Sequence, residues 1–551
     1  MPLRDEFRSI IDNAVKAIHD RLYFAQYPEH PKAYGDEAPG KALETFNSLL
    51  GNKYTDLGQD GAEGWVGEER SPYTGKDLGI TYPTFSTETL VSRANAAFKT
   101  WKNVSPDDRA EVLVDSLEAI KEYFHLIAQA TQHTTGQAYM MSFQASGPHS
   151  NDRALEALAL GYQELTRFPA SLIWEKPMGP TSVILHKQFK PVAKGVGLVI
   201  GCSTFPVWNS VPGLYASLIT GNPVILKPHP KSVLPIAVVV AEIRKALKAH
   251  GYNPDVVQLA VDSSSKLITK ELAEHPDVKV IDYTGSSSFG NYIEALPNKV
   301  VFTEKAGVNS VILDSVTDLK AVLGNLSFAV SLYSGQMCTA PQNFFIPAGG
   351  VQTAEGLVSY EDVVNGFKGA VAGLTSHPKA GPGTLGAIQS DATYERAKNS
   401  GKLGGKVLLE GIDIANAEYP EARVYAPSII EVDAADAAIY EKELFGPIVL
   451  IIKTKDTNQS VELAKKMANE HGAITCAAYT TDGAVATHIF EEMESVFTPV
   501  SLNLTGNIWV NQHAAFSDFH VTGGNPAGNA SFTNPEYVSK RFVWVGHRSV
   551  Q

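Results

Sequence analysis

Between residues 194 and 303 the sequence alternates short apolar runs with helical ones, and this alternation restricts the chain to few folds. Strands are expected at 195–200, 223–227, 256–261, 278–283 and 300–303. Helices are expected between them at 207–220, 233–249, 265–274 and 286–296. Strands joined through helices run parallel, and a parallel sheet needs helices on both faces. A second series follows Cys338. Its strands are expected near 343–346, 406–409, 428–432 and 448–453, separated by helices near 361–374 and 461–470. The fold class is therefore α/β, with two mostly parallel sheets.

The flanking regions read differently. Phe7, Ile10, Ile11, Ala14 and Ile18 recur at helical spacing, so residues 1–70 are expected to be a helical extension ending in a Gly/Asp/Glu-rich loop at 58–70. A turn at 71–75 leads to helices at 87–101 and 106–131. Asp107 and Asp108 suit the first turn of the second of these helices. A strand is expected at 542–550, of the kind that often pairs with a neighbouring subunit.

Size and charge narrow the function. A chain of 551 residues exceeds one ordinary core. A net charge of −13 with no basic block disfavours nucleic acid as a partner. The most apolar stretch, 233–243, is broken by Pro235 and Glu242 and is too short to span a bilayer. No secretory leader is visible. The three cysteines, Cys202, Cys338 and Cys476, are too few for a disulfide framework and suit a reducing compartment. The expected setting is cytoplasmic, with neither membrane nor metal.

Chemistry concentrates at two residues. Cys338 lies in the polar loop Ser334-Gly335-Gln336-Met337-Cys338-Thr339-Ala340, and Glu304 closes an apolar run. A thiol nucleophile and a carboxylate base are the groups needed to make and hydrolyse a thioester. Taken singly, a cysteine is most often a small buried hydrophobe and a strand-end glutamate a solvated carboxylate; Cys202 and Cys476 read as core residues, with Cys202 close to the presumed site. Gly285-Ser286-Ser287-Ser288-Phe289-Gly290 separates a strand from a helix, where free N–H groups can receive a pyrophosphate. Lys227-Pro228-His229-Pro230 ends a buried strand, where parallel sheets bind nucleotides. Alone, that lysine reads as solvated and that glycine turn as an ordinary turn.

Together, and in this order, the segments resemble the aldehyde dehydrogenase superfamily from about residue 71 to the C-terminus. The matching pieces are residues 195–200, Phe205-Pro206, 221–228, the Gly285 turn, Glu304, 335–340, Glu443-Leu444-Phe445-Gly446-Pro447 and Ile508-Trp509-Val510-Asn511. The long N-terminal extension, residues 200–206, Lys227-Pro228-His229-Pro230 and residues 304–309 are most similar to the PaaN-type proteins of phenylacetic acid degradation. The resemblance implies a Rossmann-like cofactor-binding domain at 71–305, a second α/β catalytic domain at 306–510, and a β oligomerisation arm. The arm would join a hairpin at 181–192 to the C-terminal strand, with 511–551 as return segment and strand. No additional C-terminal hydratase domain is expected.

The resemblance also implies roles. Cys338 is the expected nucleophile and Glu304 the base. Lys227 is the expected adenosine-ribose ligand. Gly285, Ser286 and Gly290 form the phosphate turn, Glu443 is the nicotinamide-ribose ligand, and Phe445 lies beside the nicotinamide. Three positions depart from the family. Thr204 stands where an Asn usually donates to the oxyanion, and its hydroxyl is one substitute. Gly213 stands at about the place of a lysine. Pro230 stands where a glutamate bonds the ribose 2′-OH in many NAD-preferring members. Losing that carboxylate, with attraction from His229, predicts use of NADP or NAD with NADP favoured. The expected reaction is oxidation of an aldehyde to an acid by a homodimer or homotetramer. The substrate suggested is a ring-opened, CoA-linked semialdehyde of phenylacetate breakdown. The alternatives are a CoA-acylating enzyme, a general aldehyde dehydrogenase, or an impaired scaffold.

Overall fold

The computed structural model describes residues 3–506, 525–527 and 534–550. A five-stranded sheet, parallel throughout, has the spatial order Val257–Leu259, Val224–Lys227, Val196–Ile200, Val278–Thr284, Val300–Glu304. The first strand in sequence is central, and the chain winds outward on either side of it. This order leaves a switch point between Val196–Ile200 and Val278–Thr284, where such sheets open a crevice at the strand ends. Val224–Lys227 is buried at every residue, as a strand covered on both faces must be.

Residues 305–309 connect this sheet to a seven-stranded one. Its order is Lys406–Leu409, Ser428–Asp433, Ile448–Thr454, Asn343–Pro347, Ser310–Leu313, Cys476–Tyr479, Val500–Leu502. All neighbours are parallel except the first pair. Three of these strands, Ser310–Leu313, Cys476–Tyr479 and Val500–Leu502, have no counterpart in the sequence expectations. Ser310–Leu313 is only four residues long, yet it is fully buried and lies between two neighbours.

Several expected elements need correction. The helix expected at 106–131 is two helices, Pro106–Lys121 and Phe124–Thr135. Ser105 caps the first by accepting from Asp108 N, and Tyr123 (φ −107°, ψ 6°) breaks the path between them. Every residue of Phe124–Thr135 is buried, so packing redirects the chain where no Gly or Pro does. The loop at 58–70 contains a strand, Gly64–Val66, paired antiparallel with Tyr82–Thr84. Residues 139–166 carry two unexpected helices, Tyr139–Ser146 and Pro148–Thr166. The second is buried on nearly all sides and carries Asp152, Arg153 and Glu156 inside, so it lacks a polar face by which to be recognised.

The expected hairpin at 181–192 is a single strand, Thr181–Ala193. Its hairpin partner is Ser171–Met178 across a Gly179 turn. The C-terminal strand Phe542–Ser549 pairs antiparallel with Thr181–Ala193 of the same chain, giving a three-stranded sheet. Ile173, Met178 and Val543 are exposed on it.

One buried ion pair ties the C-terminal segment to the five-stranded sheet. Arg541 Nη1 and Nη2 donate to the two Asp282 oxygens at 2.7 and 2.6 Å, and Arg541 is 0% exposed. Arg541 also donates to Ser217 Oγ at 2.8 Å, and the Tyr537 hydroxyl to Asp282 at 3.2 Å. This network explains Gly213. A Cβ there would lie 2.5 Å from the Asp282 carboxyl carbon, so the place of the family's lysine is closed by a fixed carboxylate. Asp282→Asn leaves a buried guanidinium uncompensated. It is expected to lower the unfolding free energy by about 3–5 kcal/mol, read by denaturant unfolding.

Candidate active site

Glu304 ends the edge strand of the five-stranded sheet, and Cys338 follows the short turn Leu332–Gly335 of the neighbouring unit. The thiol and the carboxylate are hydrogen-bonded. Glu304 is 7% exposed, so it is not a solvated strand-end group. Burial and the adjacent Glu304 push the Cys338 thiol well above its ordinary range, so it is protonated at rest and needs a base.

The cysteine loop is held from three sides. Tyr333 and Ser334 both take positive φ (52° and 51°), a costly conformation outside glycine. The Tyr333 hydroxyl donates to Thr135 O at 2.7 Å, and Ser334 Oγ is within 3.0 Å of both Leu385 O and Tyr425 O. Gly335 (φ 64°) packs so closely on the next loop that a Cβ would stand 2.4 Å from Gly446 O. That contact sets the Glu443-to-Pro447 loop against the cysteine loop. Gln342 completes it, accepting from Leu444 N at 2.6 Å and donating to Lys442 O at 2.9 Å. Asn309 donates to Cys338 O at 2.7 Å and Ala340 O at 3.1 Å, and accepts from Ile474 N and Thr475 N. Asn309, Gln342 and Gly446 were not singled out for these roles; each acts through backbone contacts between distant segments, which leave no local signature.

Cys202 is half-buried and lies at the same site; Cys476 is buried. The Cys202 thiol donates toward Asn209 Oδ1 at 3.7 Å. The Thr204 hydroxyl is directed at Cys202 Sγ, 3.8 Å away, while the Thr204 carbonyl accepts from Gln137 at 2.7 Å. Thr204 therefore makes its side-chain contact with the second cysteine. Asn209, which the sequence reading passed over, donates to Glu304 Oε2 at 2.8 Å. Beside the two cysteines stands a cluster of Ala145, Phe205, Trp208, Tyr333 and Met337. Arg153 stacks on the Trp208 ring, 3.5 Å from its centroid.

The residues expected to hold a dinucleotide lie at the ends of the parallel strands. Gly285 sits against Tyr283, where a Cβ would come 2.5 Å from the hydroxyl. Gly290 sits as closely against the Lys305 side chain. Ser286 N-caps helix Ser287–Glu294 without accepting from a backbone N–H of its first turn; its hydroxyl lies 3.3 Å from Ser288 Oγ. Lys227 is 2% exposed, not solvated. Its ammonium lies 2.7 Å from Asp262 Oδ1 in a buried ion pair and also donates to Pro228 O at 2.6 Å. Glu68, from the segment between the N-terminal extension's helices and helix Thr87–Trp101, accepts from Ser264 N at 2.6 Å and acts electrostatically on Lys227, His229 and Asp262. Burial, with Lys227 and Lys231, lowers His229 to about 4. At neutral pH it is uncharged, so the attraction expected from it toward a phosphate is absent. Pro230 follows in the same turn and is buried.

Across the cleft, Glu443 accepts from Gly307 N at 3.4 Å, and desolvation raises it to about 7. Phe445 is half-buried two residues on. Residues 508–511 lie outside the described residues. A separate cavity of about 820 Å³ lies between the N-terminal extension and residues 118–126, and none of the groups above lines it. Among the described residues no helix is long and apolar enough to cross a membrane.

The raised Glu443 value has a defined sign. Between its ordinary 4.5 and about 7 the folded chain binds more protons than the unfolded one, so stability falls as pH rises through this window. Glu443→Gln removes that loss. Relative to the parent it is expected to gain on the order of 1–3 kcal/mol between pH 4.5 and 8, measured by denaturant unfolding at each pH.

Comparison with known proteins agrees with this geometry. Residues 68–541 match the model of the aldehyde dehydrogenase family. The crystal structure of an NAD-dependent aldehyde dehydrogenase from Burkholderia multivorans is 41% identical, with a TM-score of 0.97 and 100% of both chains covered. The 1-pyrroline-5-carboxylate dehydrogenase of Bacillus cytotoxicus is 24% identical over 82% of this chain and 83% of its own. A variant of the Thermus thermophilus 1-pyrroline-5-carboxylate dehydrogenase shares the fold at a TM-score of 0.77 and 19% identity, covering 96% of this chain and 99% of its own. With two parallel sheets meeting at a cysteine and a glutamate, and a family match across most of its length, the chain is an enzyme belonging to the aldehyde dehydrogenase family.

Proposed function

We propose that the enzyme oxidises an aldehyde to its carboxylic acid with NAD, through a thioester on Cys338 that Glu304 helps to hydrolyse. The observation that carries this reading is the hydrogen bond between the Cys338 thiol and Glu304. A thiol held protonated by its surroundings needs a neighbouring base, and Glu304 is that neighbour. As the sulfur adds to the aldehyde carbonyl, the thiol proton passes to Glu304. When bound, the nicotinamide supplies the hydride acceptor. With the hydride gone, the acyl group is a thioester on Cys338. Glu304, once it has released the first proton to solvent, takes a second from water. The oxygen of that water attacks the thioester carbonyl, and the sulfur leaves as the acid forms. Glu443 and Phe445 face the nicotinamide end of the cleft, and Lys227, Gly285, Ser286 and Gly290 the adenosine and phosphate end.

NAD is preferred in this reading for two reasons. His229 brings no positive charge at neutral pH. Glu68 and Asp262 place carboxylates around Lys227, which disfavour a 2′-phosphate and suit ribose hydroxyls. Pro230 removes one carboxylate from a turn on which Glu68 acts from another segment. The similar Burkholderia multivorans enzyme is also described as NAD-dependent.

The substrate reading rests on the apolar cluster of Phe205, Trp208, Tyr333 and Met337 beside the cysteines. It favours an aldehyde with an apolar body. The ring-opened, CoA-linked semialdehyde of phenylacetate breakdown is the first compound to test. The relatives named for 1-pyrroline-5-carboxylate make its open-chain aldehyde the competitor. Glu304 favours release of a free acid over acyl transfer to CoA. The exposed Ile173, Met178 and Val543 of the three-stranded sheet support a homodimer or homotetramer.

Absorbance of reduced cofactor, followed across an aldehyde panel, tests the reading. Cys338→Ala is expected to abolish turnover. Free acid is expected as product with and without CoA; acyl-CoA would overturn the hydrolytic reading. The expected kcat/KM is at least tenfold higher with NAD than with NADP, and the reverse ratio would reverse the cofactor assignment.

A further inference from the structure

Thr204 occupies the position of an expected side-chain amide, and its hydroxyl is spent on Cys202. An amide is nevertheless present at the site. Asn209 lies in the turn before helix Val211–Ile219, with its backbone N–H bonded to Phe205 O at 3.1 Å. Its side chain spans two groups. Nδ2 donates to Glu304 Oε2 at 2.8 Å, and Oδ1 faces the Cys202 thiol at 3.7 Å.

The orientation of that amide is chemically fixed. An ionised carboxylate only accepts, so the NH2 end must face Glu304. Cys202 supplies the matching donor to Oδ1 because burial keeps it a thiol. A chain of contacts thus runs from Thr204 to Cys202, Asn209, Glu304 and Cys338. Lys305 turns away to Asn291 at 3.0 Å and Glu294 at 2.9 Å. Tyr283 acts on Cys202 and donates to Ser286 O. Glu443 acts on Cys338 from across the cleft.

We propose that Asn209 is the positioning residue for Glu304: its amide, oriented by the Cys202 thiol, holds the carboxylate against Cys338 for thioester hydrolysis. The proposal rests on the reading of Glu304 as base. It explains why the chain retains its base in working geometry although Thr204 and Gly213 depart from the family pattern. It also gives Cys202 a role that needs a donor at that position and no redox chemistry.

The test is pre-steady-state cofactor reduction followed by steady-state turnover, across pH, in the full-length enzyme with Asn209→Ala, Asn209→Asp and Cys202→Ala. In Asn209→Ala both cofactor reduction and hydrolysis are expected to slow, hydrolysis at least about tenfold, because a donor to the charged carboxylate that serves both steps is gone. The acidic limb of the hydrolysis profile moves up by about one pH unit in Asn209→Ala. It moves further in Asn209→Asp, where two carboxylates face each other. Cys202→Ala is expected to fall between parent and Asn209→Ala, and Cys202→Ser to restore the parent profile. An unmoved acidic limb in both Asn209 variants would overturn the proposal, since loss of packing alone scales the rate without shifting the profile. Glu304→Gln separates the two readings. If the acidic limb survives that substitution, the assignment of Glu304 as base fails, and the proposal for Asn209 fails with it.

Discussion

The amide of Asn309 carries the geometry on which the site depends. Its two donor hydrogens serve the carbonyls of Cys338 and Ala340, and its oxygen accepts from the N–H groups of Ile474 and Thr475. Asn309 ends the five-residue crossover from Glu304 to the strand Ser310–Leu313. One side chain therefore locks the cysteine loop to the connection that begins at the glutamate, and to a third strand besides. Four satisfied bonds in a buried amide make this an expensive arrangement to distort. The thiol and the carboxylate meet because the link between their sheets is short and clamped at its far end.

The surrounding loops follow from the same constraint. With Cys338 O held by Asn309, the turn before it must reverse within a few residues, and Tyr333 and Ser334 take left-handed backbone angles to do so. Gly335 then approaches Gly446 without room for a Cβ, which brings Glu443 and Phe445 to the other wall of the cleft. The strain at Tyr333 and Ser334 is offset by buried hydrogen bonds to Thr135, Leu385 and Tyr425. On the opposite side, Asp282 is immobilised by Arg541, so the segment that completes the three-stranded sheet also closes the place beside Gly213.

Much of this was legible in the sequence, for identifiable reasons. The five parallel strands were readable because strands buried on both faces are continuous apolar runs, and Val224–Lys227 is one. Cys338 and Glu304 stand out as candidates in the sequence through the polar loop around one and the strand end that carries the other. Elements stabilised by tertiary contacts were not legible. Ser310–Leu313 is too short to show a period, and Pro148–Thr166 buries charged residues whose partners lie far away in sequence; Asp152 accepts from Gln26 N, and Arg153 stacks on Trp208. The lowered His229 was not legible because desolvation cannot be read from a motif. Asn209 was passed over because the amide function was sought five residues earlier, at Thr204.

The central claim is that acyl transfer passes through sulfur at residue 338 and that the carboxylate at 304 hydrolyses the product. Intact-protein and peptide mass spectrometry of Glu304→Gln, mixed with NAD and a reactive aldehyde and quenched in acid, tests it most directly. The account predicts one stoichiometric acyl adduct on the peptide containing Cys338, formed together with reduced cofactor but more slowly than in the parent, since the thiol must then lose its proton to solvent, and decaying far more slowly than in the parent. Reduced cofactor without an adduct on Cys338, or an adduct that decays at the parent rate, would contradict it.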